Sequence, residues 1–362
     1  MPDNENLRGA KAQKKDEFYT SYKDIENEMN SYYEYNKDVF KGKTILCPCD
    51  DPEWSEFTRY FATNFDFLGL KKLICTSYAK SVGNQQITLF EQESPNYDKE
   101  KHSTHGKLFI LDRSSNNSKK IDLNDIEFSY LKGDGDFRSD EVRKLRDEAD
   151  IIITNPPFSL FRDFLTWINE SDKEFSIIGN MNAISYKEVF PLIKDNKIWL
   201  GNGFKSMVGY FTSPYEDTAS ASNHKEGYIR VSGVTWFTNI DHGLRHKPII
   251  LSTMNDNLRY NKKLIKKFKE LHGKIEYPYY DNYDAIEVPY SDAIPNDYNG
   301  VMGVPITFLD KYNPDEFEII GDLVMGSATK NTSIKNPYDF AVPYVNGKKI
   351  YARILIRRKD VK

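Results

Sequence analysis

The sequence predicts an α/β fold, in which a mostly parallel sheet carries helices on both faces and a smaller, irregular α+β domain follows. Between Asp16 and about Ile250, short continuous apolar runs alternate with helical patterns. Such runs are typical of strands that are buried on both faces. After Ile250 the chain becomes rich in Tyr, Pro, Asn and Asp, and only one helical pattern is clear. We therefore expect a flexible leader at 1–15, an α/β domain at 16–250 and an α+β domain at 251–362.

The strands are predicted from the apolar runs, which are TILCP (44–48), KLICTS (72–77), IEFSYL (126–131), DIIITN (150–155), FSIIGN (175–180), IWLG (198–201) and VTWFTNI (234–240). Helices are expected in 51–65 and 159–168, where apolar residues recur at helical spacing. Ser159 is the expected N-cap of the second of these helices. Residues 82–112 are interpreted as a hairpin-like insertion, and 213–232 as a loop.

Composition excludes several classes of protein. No apolar run approaches the roughly 18 residues that span a bilayer, and the polar N-terminus lacks the apolar segment of a signal peptide. Three Cys in 362 residues argue against a disulfide scaffold, and no Cys/His cluster suggests a metal site. We expect a soluble cytoplasmic protein without a membrane partner. A net charge of −4 leaves nucleic-acid binding open, provided that basic residues gather on one face.

The run Asn155-Pro156-Pro157-Phe158 follows a predicted strand, at the sheet edge where α/β proteins bind ligands. Asn155 offers a side-chain acceptor, and Pro156 offers a carbonyl that two proline rings hold rigidly. Two such acceptors can bind both hydrogens of an exocyclic NH2 group, while Phe158 offers a ring face to a planar base. In the alternative interpretation, the prolines only end the strand.

This arrangement suits the chemistry of a weakly nucleophilic amine. The lone pair of an adenine N6 is delocalised into the ring. Two acceptors in tetrahedral directions draw the nitrogen toward sp3 geometry and concentrate the lone pair outward. Positioning and pre-aimed acceptors then suffice, without a strong base or a covalent intermediate.

The Asn155–Phe158 run resembles the catalytic motif of amino-methyltransferases that use S-adenosylmethionine. The wider pattern resembles the EcoRI-type family of adenine-specific DNA methyltransferases, over most of the chain from Asp16 to about Asn313. The resembling segments are KKDEFYTSYKDIENEM, CPCDDPEWSEFTRYFATNFDFLGLKKLI, GDGDFRS, DIIITNPPFSLFRDFL, SYKEVFPLIKDNKIWLG and YDNYDAI through DYNGVMGVPITFLDKYNP.

The resemblance implies a Rossmann-like class I methyltransferase fold with a seven-stranded sheet. Residues 16–250 would be the catalytic domain and 251–362 the target-recognition domain. The implied reaction is transfer of a methyl group from S-adenosylmethionine to N6 of a flipped-out adenine in double-stranded DNA. The enzyme would be a monomer that serves a restriction–modification system, with a cognate endonuclease that does not stably associate, or an orphan relative.

Two alternatives stay open at this point. Related turns serve methylation of RNA bases and of a protein glutamine amide, although the large C-terminal domain favours DNA. A catalytically silent DNA-binding protein is the alternative from another class. In its favour, the turn after the first strand, Cys47–Pro52, contains no glycine, whereas most such enzymes have a glycine-rich turn there.

The resemblance also assigns residues to the site. The catalytic residues would be Asn155, Pro156, Pro157 and Phe158. The cofactor-binding residues would be Tyr19, Thr20, Pro48, Asp50, Asp51, Thr76, Asp136, Phe137 and Asn155. Asp134 is the alternative to Asp136 as the acid that binds the cofactor adenine. Two of these segments also have a simpler interpretation, DEFYT as a helix start and Gly-Asp-Gly as a turn. The second strand ends in the neutral Thr76 and Ser77, so no acid is available there for the cofactor ribose.

The segment NKKLIKKFKELHGK (261–274) is the best candidate for DNA backbone contact. Its apolar positions Leu264, Ile265, Phe268 and Leu271 predict one buried stripe. Lys262, Lys263, Lys266 and Lys267 would then lie largely on the opposite face, near phosphates. The alternative is a solvated surface helix. The segments RHK (245–247) and YARILIRRK (351–359) are weaker candidates.

Overall fold

The computed structural model describes residues 20–79, 96–114, 127–204, 208–211, 229–323 and 342–359. The chain divides into two compact units. The first comprises residues 1–181 and 201–241, and the second comprises 182–200 and 242–362. The second unit thus includes residues 182–200, which precede the last segment of the first unit. The predicted domain boundary near residue 250 stays a prediction. The predicted leader at 1–15 lies outside the described residues.

The α-helices within the described residues are α1 Tyr22–Tyr35, α2 Glu56–Thr63, α3 Lys99–His102, α4 Asp140–Glu148, α5 Phe161–Asn169, α6 Phe190–Lys194, α7 Met254–Tyr260 and α8 Lys262–His272. The strands are β1 Thr44–Cys47, β2 Lys72–Thr76, β3 Lys107–Asp112, β4 Ser129–Tyr130, β5 Ile151–Thr154, β6 Glu174–Asn180, β7 Trp199–Leu200, β8 Val208–Phe211, β9 Ile229–Ser232, β10 Val234–Thr238, β11 Ile286–Glu287, β12 Met302–Pro305, β13 Phe317–Leu323, β14 Tyr344–Val345, β15 Lys348–Lys349 and β16 Arg353–Arg358. Short 3₁₀ helices cover Phe158–Leu160, Met181–Ser185, Gly243–His246, Ser291–Ala293 and Ile306–Lys311.

The main sheet of the first unit has the strand order β4-β3-β2-β1-β5-β6-β10. Its central strands β2, β1, β5 and β6 are parallel to one another. At the edges, β3 runs antiparallel to β2, and β10 runs antiparallel to β6. The prediction of an α/β fold with a mostly parallel sheet is confirmed.

Helices cover both faces of this sheet. Ile45 of β1 and Ile153 of β5 belong to one apolar cluster with buried residues of α1 and α2, such as Phe57. Because side chains alternate along a strand, their neighbours point to the other face. There Phe237 of β10 contacts Phe161 of α5, with ring centroids 5.1 Å apart. Burial on both faces explains why the strands read as continuous apolar runs.

Two local predictions for the first unit are wrong in part. Lys107–Asp112 is not half of an insertion hairpin but strand β3 of the main sheet, where Phe109 and Leu111 join the apolar cluster. It lies between β2 and the short strand β4, so the predicted third strand does not adjoin β2. Ile229–Ser232, predicted as loop, pairs with β8. The rest of the predicted insertion up to residue 95, and of the loop from 213 to 228, lies outside the described residues.

The second unit contains its own sheet, with the order β11-β12-β16-β13. Strand β16 is antiparallel to both of its neighbours. An apolar cluster that includes Tyr280, Tyr283, Leu323 and Leu355 forms a separate core. Two helices, α7 and α8, lie in this region where one helical pattern was clear, and the predicted α+β class is confirmed.

A buried ion pair connects two strands of this unit. Glu287 of β11 is fully buried. Its carboxylate accepts hydrogen bonds from Arg353 of β16, at 2.6 Å from Nη2 and 3.0 Å from Nε, and from the hydroxyl of Tyr280. Arg353 therefore serves the fold of this unit, which removes it from the candidate DNA contacts of the 351–359 segment.

Within the described parts of the chain, no helix combines the length and the apolarity that crossing a bilayer requires.

Candidate active site

The candidate site lies at the carboxyl ends of three neighbouring parallel strands of the first unit. Strands β2, β1 and β5 end at Thr76, Cys47 and Thr154. The predicted site residues Pro48, Asp50 and Asn155 follow directly, so the sheet brings these separate segments to one edge. Hydrogen bonds connect the segments: the amide of Asp50 donates to the carbonyl of Thr76 at 2.9 Å.

The Asn155–Phe158 run forms the turn between β5 and α5. Asn155 is half-buried, Pro156 is buried, and Phe158 begins a 3₁₀ turn that leads into the helix. The Phe158 ring packs edge-on against Phe211 of β8, with centroids 6.4 Å apart. The prediction that Ser159 caps the helix is wrong, because the 3₁₀ turn occupies 158–160 and α5 begins only at Phe161.

Asp50 connects the turn after β1 to the Asn155–Phe158 turn. Its carboxylate is buried and accepts hydrogen bonds from the hydroxyls of Thr154, at 2.5 Å, and Ser55, at 2.8 Å. Burial raises the pKa of Asp50 to about 7, against the opposite effect of these two hydroxyls. Since Thr154 immediately precedes Asn155, Asp50 holds the start of the Asn155–Phe158 turn. Both of its oxygens are engaged within the protein.

Asp51 belongs to an ion-pair cluster with a residue of β3. The ammonium group of Lys107 lies 3.0 Å from Asp51 and 2.6 Å from Glu53, and Lys107 is 4% exposed. The same ammonium lies 5.1 Å from the centroid of the Phe128 ring. Two carboxylates against one ammonium leave one net negative charge on the turn. The cluster gives a fixed shape to a turn that contains no glycine.

Thr76 and Pro48 pair with each other. The Thr76 hydroxyl donates to the Pro48 carbonyl at 3.1 Å, and Thr76 is fully buried. This hydrogen bond connects the carboxyl ends of β2 and β1 at the candidate site. Neither residue brings an acidic group to it.

Thr20 lies just before helix α1, whose N-cap is Ser21. Thr20 is 3% exposed, and its hydroxyl oxygen has no hydrogen-bond partner within the part of the chain that the structure describes. A buried hydroxyl without a partner is costly, so this atom fits a site for a polar ligand. Tyr19, the other predicted contact of this segment, lies outside the described residues.

Asp136 and Phe137 follow the turn after β4. The Asp136 carboxylate forms a two-pronged ion pair with Arg138, at 2.6 Å and 2.9 Å, which lowers the pKa of Asp136. Phe137 is 5% exposed, and its ring packs against Phe164 and Trp167 of α5. The acid faces the surface beside a cation, whereas the ring is already covered by the core.

The predicted lysine helix is α8 of the second unit. Leu264, Phe268 and Leu271 are buried, and Ile265 is half-buried, so the amphipathic pattern is confirmed. The helix begins at its N-cap Asn261 and ends at Gly273, which has a φ of 80°. An open depression on this helix is lined by Lys262, Ile265, Lys266, Lys269 and Glu270.

The remaining lysines differ in their surroundings. The ammonium of Lys263 lies 3.7 Å from the centroid of the Tyr290 ring, and Lys267 is half-buried. In the RHK segment, Arg245 is 6% exposed and stacks 3.6 Å from the centroid of the Trp199 ring. Lys262 and Lys266 are exposed at the depression, where the ammonium of Lys266 lies 4.0 Å from the carboxylate of Glu270.

Sequence reasoning missed the residues that support the predicted ones, chiefly Thr154, Ser55, Lys107 and Arg138. The hydrogen bond between Thr154 and Asp50 had one local signal in the sequence, the hydroxyl-bearing residue directly before Asn155. The pairing of Lys107 with Asp51 spans 56 positions, and no sequence pattern announces it. Among the described residues, no three His, Cys, Asp or Glu side chains are grouped as ligands for a metal ion.

Comparison with known proteins adds independent information. Residues 6–359 match the family model described as adenine-specific methyltransferase EcoRI. The chain is 42% identical to the type II methyltransferase M.EcoRI of Escherichia coli over 361 residues, which cover 98% of this chain and 97% of that protein. It is 33% identical to the type II methyltransferase M.MpnI of Mycoplasma pneumoniae, over 97% of both chains. No solved structure matches the chain significantly.

A match over nearly the whole chain confirms the family that the motifs indicated, and with it the enzyme class, an adenine-specific DNA methyltransferase. The chain belongs to the EcoRI family of adenine-specific methyltransferases.

Proposed function

We propose that this enzyme methylates N6 of one adenine within a short recognition sequence of double-stranded DNA, after that base has been flipped out of the helix. The observation that carries the proposal is the Asn155–Phe158 turn at the carboxyl end of β5, beside the turn after β1. A base inside a duplex cannot reach such a turn unless it leaves the stack.

In the proposed mechanism, the turn acts by binding and orientation. The Asn155 side-chain oxygen and the Pro156 carbonyl accept the two N6 hydrogens, and Pro157 keeps that carbonyl rigid. These acceptors stabilise the positive charge that develops on the amine until one N6 proton is lost. The Phe158 ring, supported from behind by Phe211, stacks on the flipped adenine.

S-adenosylmethionine, as the proposed cofactor, would supply an electrophilic methyl group. The buried hydroxyl of Thr20 and the negatively charged Asp51 cluster fit its methionine end. Tyr19 and Asn155 are proposed as further contacts of the cofactor. Asp136 fits the adenine amine, because a carboxylate that is paired with Arg138 retains further acceptor positions. Pro48, Asp50, Thr76 and Phe137 would form the walls of this pocket, since their polar or aromatic groups already have protein partners.

DNA backbone contact is proposed for α8. Lys262 and Lys266 line its open depression, and exposed lysines near phosphates act by releasing condensed counterions. Lys263 and Lys267 would contribute charge from the flanks of the same helix.

The name type II methyltransferase of the relatives supports a role in restriction–modification. We propose a cytoplasmic monomer, with a cognate endonuclease that acts on the same sequence without stable association.

Sequencing that detects modified bases tests this proposal directly. Genomic DNA is taken from a host that expresses the wild-type chain or the Asn155→Ala variant. We expect N6-methyladenine at one short recurrent sequence with the wild type, and its loss with the variant. Absence of new methyladenine from the wild-type sample, together with demonstrated binding of S-adenosylmethionine, would refute DNA adenine as the substrate.

A further inference from the structure

Helix α1 carries a buried acid, Glu28, far along the chain from the Asn155–Phe158 turn. Glu28 lies on α1, is 1% exposed and takes no part in the mechanism described above. Its two carboxylate oxygens accept hydrogen bonds from the backbone N–H groups of Asn202 and Gly203, each at 3.1 Å. The hydroxyl of Tyr32, one helical turn along, donates to the same carboxylate.

The carboxylate is the connection that fixes the 201–204 segment to helix α1. Gly201 leaves room for it, because a Cβ at that position would lie 1.9 Å from a Glu28 oxygen. The side-chain amide of Asn202 adds a 3.3 Å hydrogen bond to the carbonyl of Asn27. Burying a carboxylate is costly, and removing this one would leave the N–H groups of Asn202 and Gly203 without their acceptor. Glu28 therefore determines where the backbone of this segment lies.

An aromatic path leads from this segment to the catalytic turn. Phe204, the next residue after Gly203, stacks on Trp236 at 6.0 Å with ring planes 5° apart. Phe204 also contacts Phe211, with centroids 5.9 Å apart, and Phe211 is fully buried. Phe211 in turn supports the Phe158 ring. Each contact is made within the first unit.

We infer that Glu28 is a positioning residue for capture of the target base. By fixing the backbone of residues 202 and 203 it sets the place of Phe204, and through Phe204 and Phe211 it sets the ring plane of Phe158. The inference rests on the proposed function, because it assigns Phe158 the flipped adenine. A merely structural acid would affect cofactor binding and base capture alike, whereas a positioning residue affects base capture selectively.

The test compares Glu28→Gln with Glu26→Gln. Both residues lie on α1, but Glu26 pairs with Lys23 near the surface, which makes it the matched control. Glutamine fills the same volume but places an NH2 group against a backbone N–H. The readouts are thermal unfolding, affinity for S-adenosylmethionine, fluorescence of 2-aminopurine at the target position, and the single-turnover rate.

We expect Glu28→Gln to bind the cofactor within twofold of wild type, while the flipped-base signal and the single-turnover rate fall about tenfold, as expected for a lost hydrogen bond to a charged group. Glu26→Gln should match wild type in all four readouts. Wild-type flipping in Glu28→Gln, or an equal loss of cofactor affinity, would overturn the inference. A wild-type enzyme that neither flips nor methylates would instead overturn the proposed function.

Phe204→Leu keeps the inference testable if Glu28→Gln fails to fold. This substitution leaves the buried acid in place and removes only the ring that connects it to Phe211. The same selective loss of the flipped-base signal is expected. Unchanged 2-aminopurine fluorescence in a folded Phe204→Leu enzyme would break the path and overturn the inference.

Discussion

Asp50 and Glu28 of the first unit and Glu287 of the second unit are buried acids that different kinds of partner stabilise. In the first unit, Asp50 accepts from the hydroxyls of Thr154 and Ser55, and Glu28 accepts from backbone N–H groups and a tyrosine. In the second unit, Glu287 is held by the guanidinium of Arg353. Burial raises the pKa of both Asp50 and Glu28 to about 7.

This difference separates two uses of a buried acid. An ion pair such as Glu287–Arg353 connects strands and specifies a fold, and removing one partner leaves an uncompensated charge. Acids that are held by neutral donors can exist with or without their proton near neutral pH. The oxygens of Asp50 orient the hydroxyls of Thr154 and Ser55 next to the proposed site. Those of Glu28 orient the backbone N–H groups of Asn202 and Gly203. Variants of Arg353 and of Asp50 test this contrast, and variants of Asn155 and Lys266 test the proposed roles of a residue from each unit.

Arg353→Ala should produce the largest effect, a loss of about 3–5 kcal/mol in the free energy of unfolding, because Glu287 stays buried without its cation. Urea unfolding measures it. Arg357→Ala is the control, since Arg357 lies on the same strand in an exposed pair with Glu318. Its loss should stay below about 1 kcal/mol. Equal losses for the two variants would remove the distinction between the units.

Asn155→Ala should reduce turnover by about 100-fold or more, the cost of one preorganised polar group that acts in the transition state. The free energy of unfolding should change little, and cofactor binding should survive with a much smaller loss than that of turnover. Single-turnover methylation measures the effect. Asn169→Ala removes an exposed amide from the other end of α5 and should retain wild-type activity. Near-wild-type methylation by Asn155→Ala would refute its role.

Asp50→Asn should change how stability depends on pH. The folded-state pKa of Asp50, about 7, lies above its ordinary value of 3.8, so the folded protein binds a proton that the unfolded chain releases. This contribution to stability is complete below about pH 4 and is lost as the pH rises through 7.

Asparagine stays neutral at every pH, and the hydroxyls of Thr154 and Ser55 can donate to its oxygen or accept from its amide. Urea unfolding from pH 4 to pH 8 should therefore show a smaller decline for Asp50→Asn than for wild type. Parallel pH profiles would mean that Asp50 ionises normally, and that the comparison of the two units does not extend to its protonation.

Lys266→Ala should produce the smallest effect. Loss of one phosphate contact should weaken binding to all DNA sequences alike and reduce the slope of log affinity against log salt by about 1. Lys187→Ala is the control, because the Lys187 side chain is exposed to a similar extent, 84% against 80%. The same salt slope for both variants would exclude α8 from the DNA interface.

The sequence predicted the parallel core of the fold well. Strands β1, β2, β5, β6 and β10 lie within one or two residues of the apolar runs, because burial on both faces requires such runs. Pairing between distant segments was not predictable in the same way. Strand β3 alternates buried and exposed residues, as a hairpin strand also does, so only the folded chain reveals its neighbour β2.

The same distinction holds for the candidate site. The Asn155–Phe158 turn was predicted because a strand end and four consecutive residues define its chemistry. The environments of Asp50, Asp51 and Phe137 were not, since their partners come from other segments of the chain. Phe137 was expected beside the cofactor adenine from its place in a motif, yet its ring packs into the core with Trp167.

The place of β3 has a consequence for shortening this enzyme. Residues 82–112 resemble a dispensable insertion when only the sequence is considered, and a designer of a minimal methyltransferase would remove them. Such a deletion would take away a sheet strand and also Lys107, the cation that holds Asp51 and Glu53. Two half-buried carboxylates would then repel each other at the turn that stands where most such enzymes have a glycine-rich loop. Miniaturised versions of this enzyme therefore have to keep residues 107–112.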